Sequence, residues 1–121
     1  VAPAIAGGNA CVVLASSLKP LCSITWAEVL HSSDVPAGVV NILTGDRNEL
    51  LKHFSSHMDV NALVYCGEKM KEIRTIEKMS SLNVKRAVIY KNTDWIPETS
   101  QGPYYILDTQ EIKTTWHPIG I

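Results

Sequence analysis

The sequence predicts an α/β fold: a Rossmann-like open, mainly parallel sheet with helices on both faces, extended by a C-terminal β arm. Three observations lead there. Short apolar runs alternate with stretches of helical composition, and the connections between them are short. The alternation stops at Tyr90, and beyond a turn-rich segment a strictly alternating apolar/polar stretch follows.

Residues 10–15 (ACVVLA) form a short apolar run with the character of a buried strand. Pro20 precedes a helix over residues 21–31, with Leu21, Ile24, Ala27 and Leu30 near one face. The turn from Asp34 to Gly38 ends it, because Pro36 and Gly38 both interrupt a helix. Val39 to Leu43 is the second strand candidate, closed by Thr44, Gly45 and Asp46. Leu50, Leu51 and Phe54 then mark a helix ending near His57, and Asn61 to Cys66 a third strand followed by Gly67. Glu68 to Ser81 is helical in composition, and Val84 to Tyr90 is the fourth strand run. Alternation of this kind describes β-α-β units, whose right-handed crossovers leave few topologies open. Residues 91–103 carry turn formers and no period. Tyr104 to Trp116 regains strand composition, and Ile112, Thr114 and Trp116 point to one side until Pro118 stops the run. The expected organisation is one domain: an α/β layer over 1–91, a linker over 92–103 and an arm over 104–121.

The chain has 121 residues, too few for two independent cores, and 45% of them are hydrophobic. Eleven basic residues face twelve acidic ones, for a net charge of −1, so no basic surplus recruits nucleic acid. No apolar stretch approaches the roughly 20 residues of a membrane span. The opening VAPAIAGG has neither a positive start nor a long apolar core, so no secretory signal is expected. It also lacks an initiator Met, as expected if the numbering begins inside a longer polypeptide. Cys11, Cys22 and Cys66 are odd in number and lack C-x-x-C spacing, which favours a reducing, cytoplasmic setting with the cysteines as small core residues.

Several motifs, in order, resemble the cofactor-binding domain of the aldehyde dehydrogenase superfamily. Pro3, Ala4, Gly8, Asn9, Val12, Pro20 and Leu21 fall in register with that family's P-A-L-A-x-G-N-x-V-V pattern and the T-P-L that follows it. Pro36 to Asn41 is similar to its P-x-G-V-V-N turn and strand. Asp59-Val60 and Leu63 to Gly67 resemble D-V-D-x-x-x-F-T-G-S, and Asn83 to Arg86 resembles N-x-K-R. Glu111 to Trp116 looks like the C-terminal arm that such enzymes exchange between subunits. The resemblance covers about residues 1–91 and 102–118.

The departures fall on the positions that would hold NAD or NADP. By the resemblance, Leu14 replaces the Lys that holds the adenosine ribose, and Ser17 replaces the ribose-binding Glu. Leucine offers no donor, so a charge-assisted hydrogen bond is lost. Glu68 stands at the phosphate-contacting Ser of the F-T-G-S-x-x-x-G turn, where its charge opposes an anion, and Glu72 replaces the turn's last glycine. Gly45 and Gly67 remain. Lys69 or Lys71 offers compensating charge, with nothing in the sequence to aim it. Tyr90 takes the place of the general-base Glu, and a phenol of ordinary pKa near ~10 is a poor base at neutral pH. No G-Q-x-C nucleophile segment occurs.

The combination resembles the truncated second unit of the aldehyde dehydrogenase subfamily with a duplicated domain. It implies a non-catalytic module without catalytic residues, bound cofactor or metal. Leu14, Ser17, Gly45, Gly67 and Glu68 are then vestigial, and Ile112, Thr114 and Trp116 form an interface with the rest of a larger chain or with a second copy. The alternative is a layer that still binds NAD or NADP and serves aldehyde oxidation to a carboxylic acid; fold alone does not decide between them. Cys66, beside an expected helix start, is read as a core or turn residue rather than a nucleophile, since Glu68 opposes thiolate formation. His53 and His57 lie four apart but lack a third ligand, so a solvated pair is expected.

Overall fold

The computed structural model describes residues 1–120. In chain order it contains α1 (Ala2–Ala6), β1 (Cys11–Leu14), α2 (Pro20–His31), β2 (Val40–Leu43), α3 (Arg47–Ser56), β3 (Ala62–Cys66), α4 (Met70–Ser81) and β4 (Arg86–Tyr90). Two short 3-10 segments, Glu98–Ser100 and Pro103–Thr109, follow. Each strand and each of the three long helices lies where the apolar pattern predicted it. Helix α1, with proline in its first turn, was not anticipated because five residues carry no readable period.

Both strand pairings are parallel, β1 with β2 and β3 with β4. Each pair encloses one helix, so the chain is built from two β-α-β units joined through α3. Hydrogen bonding leaves them as two two-stranded sheets rather than one continuous ladder.

The core belongs to the second unit. Leu63 and Tyr65, two apart on β3, face Ile73 and Ile76 of α4, with Leu51 and Phe54 of α3 and Ala87 and Ile89 of β4 packed around them. Both α3 and α4 therefore cover the same face of β3–β4, while Val64 on the other face stays 45% exposed. Lys85 ties α3 to the start of β4: its ammonium is buried and donates to the carbonyls of Phe54 and His57, each at 2.9 Å. That satisfies two carbonyls at the C-terminal end of α3, where a cation also suits the helix dipole. The first unit is thinner, with Ala15 its one buried hydrophobic residue and no buried residue on α2.

The C-terminal region departs from its expected form. Tyr104 to Thr109, predicted as strand, winds as 3-10 helix started by Pro103. It packs against α1 and β4: the Gln110 amide donates to the Gly7 carbonyl at 2.7 Å, and Tyr90, Trp95 and Tyr105 meet edge to face at 5.2–5.5 Å. Residues 111–120 carry no regular secondary structure and are exposed, with Ile112, Thr114 and Trp116 facing solvent. The alternation supplies a strand's two faces, but a strand forms only against a partner, and residues 111–120 find none among the described residues. The cysteines also differ from expectation: Cys22 and Cys66 are exposed and Cys11 is half-buried.

Candidate functional site

Parallel β-α-β units present ligands at the carboxyl ends of their strands, next to helix N-termini. In the first unit those ends open onto a groove of about 510 Å³ lined by Ser16, Ser17, Pro20, Thr44, Gly45, Asp46 and Asn48. Among the predicted positions, Ser17 and Gly45 thus come together. No cationic side chain lines the groove. Its single charge, Asp46, caps α3 by accepting the Asn48 backbone N–H at 2.7 Å and the Asn48 side-chain amide at 3.1 Å. Leu14 is half-buried in the last register position of β1, beside Leu43, and does not line the groove.

The second unit ends differently. Behind β3 the chain turns through Gly67 into α4, and Tyr65 folds its ring back over that glycine. A Cβ at Gly67 would lie 2.8 Å from the Tyr65 hydroxyl, so only glycine fits. The Tyr65 hydroxyl donates to the Glu72 carboxylate at 2.6 Å inside the protein. Arg47 Nε lies 3.4 Å from the same carboxylate and Lys69 Nζ 3.2 Å from its other oxygen. The Arg47 guanidinium also stands 5.9 Å from the centre of the Tyr65 ring. One carboxylate, with only 10% of its side chain exposed, thus gathers three donors from β3, α3 and the start of α4.

The electrostatics follow the geometry. The Tyr65 hydrogen bond holds the Glu72 carboxyl below the ordinary carboxylate range against the cost of burial, with Lys69 and Arg47 adding to the effect. Burial, then the bond to Glu72, pushes the Tyr65 phenol upward. Lys69, which sequence alone could not aim, points at Glu72; Lys71 lies on the outer side of α4, beside Arg74 and Lys78.

Glu68, predicted as the anion that opposes a ligand, stands outside this cluster. It is exposed, and the Asn92 amide faces its carboxylate. Glu72 is the buried anion instead. Sequence reasoning marked Glu72 as a lost glycine and as a solvated partner of the nearby lysines, whereas it is buried, and it missed both Tyr65 and Arg47. One signal was available: Glu72 leads the inward stripe of Ile73, Ile76 and Ser80, so it lies on the buried face of α4.

Tyr90 ends β4, and its hydroxyl donates to the Asp108 carboxylate. Burial and that bond drive the phenol's pKa well above its usual value, so Tyr90 stays protonated and cannot accept a proton near neutrality. Although Cys66 is exposed overall, partial desolvation of its sulfur raises the thiol, which is the wrong direction for a nucleophile. Among the described residues no group of three or more His, Cys, Asp or Glu side chains is placed to hold a metal. Among the described residues no helix is long and apolar enough to cross a membrane.

The aldehyde dehydrogenase family model matches residues 1–90. The chain belongs to the aldehyde dehydrogenase family. An aldehyde dehydrogenase of Emericella nidulans is 26% identical over 123 aligned residues, covering all of this chain and 23% of the relative. A solved aldehyde dehydrogenase from Brucella melitensis superposes with a TM-score of 0.70 at 27% identity, over 74% of this chain and 18% of its own. Betaine aldehyde dehydrogenase from Staphylococcus aureus, solved with NAD+, gives a TM-score of 0.68 at 27% identity, over 73% of this chain and 18% of its own. The chain therefore spans about a fifth of the length of these relatives. Their fold agrees with the Rossmann-like α/β layer read from the sequence.

Proposed function

We propose that this chain is a non-catalytic module with a structural, assembly-supporting role in a larger aldehyde dehydrogenase-like polypeptide. The observation that carries the reading is the closed turn after β3. In the first turn of α4, the end of a parallel unit that ordinarily receives an anion, this chain carries its own buried Glu72, paired with the side chains of Tyr65, Lys69 and Arg47. Two features support it. The groove beside β1 and β2 lacks a cation, and Tyr90 is locked to Asp108 as a protonated phenol. In this reading Leu14, Ser17, Gly45, Gly67 and Glu68 are vestigial, and the chain binds neither NAD nor NADP.

Its partners are the remainder of the larger polypeptide and a second copy of the assembly. Ile112 and Trp116 are 78% and 83% exposed on a segment with strand alternation and no strand partner among the described residues. An unpaired alternating segment of this kind adds to the sheet edge of another body. Three free cysteines, two of them exposed, suit a reducing cytoplasm.

One observation favours the alternative, a nucleotide-binding part of an aldehyde-oxidising enzyme: the groove at Ser17 and Gly45 is open and occupies the expected strand end. Calorimetric titration with NAD and NADP separates the two. The structural reading expects no saturable heat up to millimolar nucleotide; micromolar binding by this chain contradicts it.

A further inference from the structure

We propose that residues 92–110 form a strap over the carboxyl ends of β3 and β4, latched by the hydrogen bond from Tyr90 to Asp108, and that this strap opens as one unit while the core stays folded. The inference goes beyond the non-catalytic reading and does not depend on it, because it concerns how the strand ends are covered and not what they bind.

Side chains alone attach the strap. Among the described residues no backbone hydrogen bond joins residues 92–110 to the α/β layer; those within the segment are local, from Ser100 to Pro97, from Gln101 to Glu98 and from Gln110 to Leu107. Three contacts hold it down. The Tyr90 hydroxyl at the end of β4 donates to Asp108, Trp95 and Tyr105 meet the Tyr90 ring edge to face at 5.2 and 5.5 Å, and the Gln110 amide donates to the Gly7 carbonyl at 2.7 Å. At the root of the strap Asn92 adopts a φ of 52°, a left-handed conformation that asparagine tolerates, and its amide faces the Glu68 carboxylate just beyond β3. The segment therefore touches the ends of both strands.

Attachment of this kind separates the strap from the core. No residue from 92 to 110 is buried, whereas Ile73 and Ile76 are 2% and 0% exposed. Segments with few buried apolar contacts open at lower free energy than the core, which places the strap at the labile end of the molecule. Its release breaks no strand pairing and removes no member of the core cluster. The strand ends it covers are where a parallel unit meets a ligand. The closed strap is thus an autoinhibitory contact, and access to that edge requires Tyr90 to let go of Asp108.

The test is hydrogen exchange followed by NMR on the full 121-residue chain, Tyr90→Phe, Asp108→Ala and the double variant. Amides of Ser100, Gln101 and Gln110 report the strap; those of Ile73 and Ile76 report the core. In the unsubstituted chain the strap amides are protected but exchange faster than the core. Loss of a hydrogen bond to a charged acceptor shifts an equilibrium about 10- to 100-fold, so Tyr90→Phe speeds strap exchange by that factor and leaves the core rates unchanged. Asp108→Ala has the same effect, and the double variant adds nothing to it. Gln110→Ala, which breaks the separate anchor at Gly7, accelerates the same strap amides with the latch intact. Strap amides that exchange together with the core, or that are unprotected in the unsubstituted chain, overturn the proposal. So does a Tyr90→Phe chain in which strap rates stay the same or strap and core accelerate together.

Discussion

Replacing Tyr65 with Phe removes one oxygen and leaves the ring in the core, which isolates the contribution of its hydroxyl. That hydroxyl donates to a buried, charged carboxylate at 2.6 Å, and the carboxylate keeps Lys69 and Arg47 after the substitution. A hydrogen bond to a charged group contributes about 1.5–3 kcal/mol, so with two donors remaining the expected loss is about 1.5–2 kcal/mol at pH 7. Urea unfolding followed by circular dichroism measures it. The pH dependence carries the sharper information. Because the Glu72 pKa is held below its ordinary 4.5 in the folded state, its contribution is complete above pH 4.5 and is lost as pH falls through the lower folded value. The Tyr65 bond is the largest cause of that depression, so the deficit of Tyr65→Phe narrows as pH is lowered from 7 toward 2. A loss under about 0.5 kcal/mol at pH 7, or one of equal size across the acid range, refutes the account of the cluster.

Further expectations follow from other parts of the chain. Lys85→Met leaves the Phe54 and His57 carbonyls without their shared donor and lowers unfolding free energy by about 2 kcal/mol. Gly67→Ala drives a methyl into the Tyr65 ring, held by its bond to Glu72, and costs about 2 kcal/mol; chemical denaturation with and without Tyr65→Ala shows whether that ring is the obstacle. Val84 is exposed at a φ of 54°, a left-handed conformation that suits asparagine better than a β-branched residue, so Val84→Asn raises stability by about 0.5–1 kcal/mol in a thermal melt. Deleting residues 111–121 leaves the melting temperature within about 2 °C, since residues 111–120 are all exposed, and lowers the assembly size seen by light scattering. Retention of the same assembly size counts against the proposed arm.

The layer was legible in the sequence because its signals are local. ACVVLA and NALVYC are short apolar runs between turn formers, and α4 carries a stripe whose Ile73 and Ile76 reach the core. What could not be read depends on contacts distant in sequence. Nothing in the apolar runs states which strands share hydrogen bonds, so the division into β1–β2 and β3–β4 pairs was invisible. Ile112 to Trp116 alternate as a strand should, but alternation supplies no partner. At the candidate site, motif comparison marked Gly67 and Glu72 as positions of interest, while the exposed Glu68 has the Asn92 amide as its neighbour. The decisive residue, Arg47, begins α3, far along the chain from the turn it closes, and no spacing rule connects it to Glu72. Tyr90 was readable as a poor base, whereas its partner Asp108 lies beyond the linker and emerged only from the fold.

The most direct measurement of the central claim is a titration of isotopically labelled protein with NAD, following backbone amides at Ser16, Ser17, Gly45, Asn48 and Gly67 by NMR. A module whose turn is filled by its own carboxylate shows no saturable shift at any of these positions up to millimolar nucleotide. A saturating set of shifts shared by the groove and the turn contradicts that claim and returns the chain to nucleotide binding.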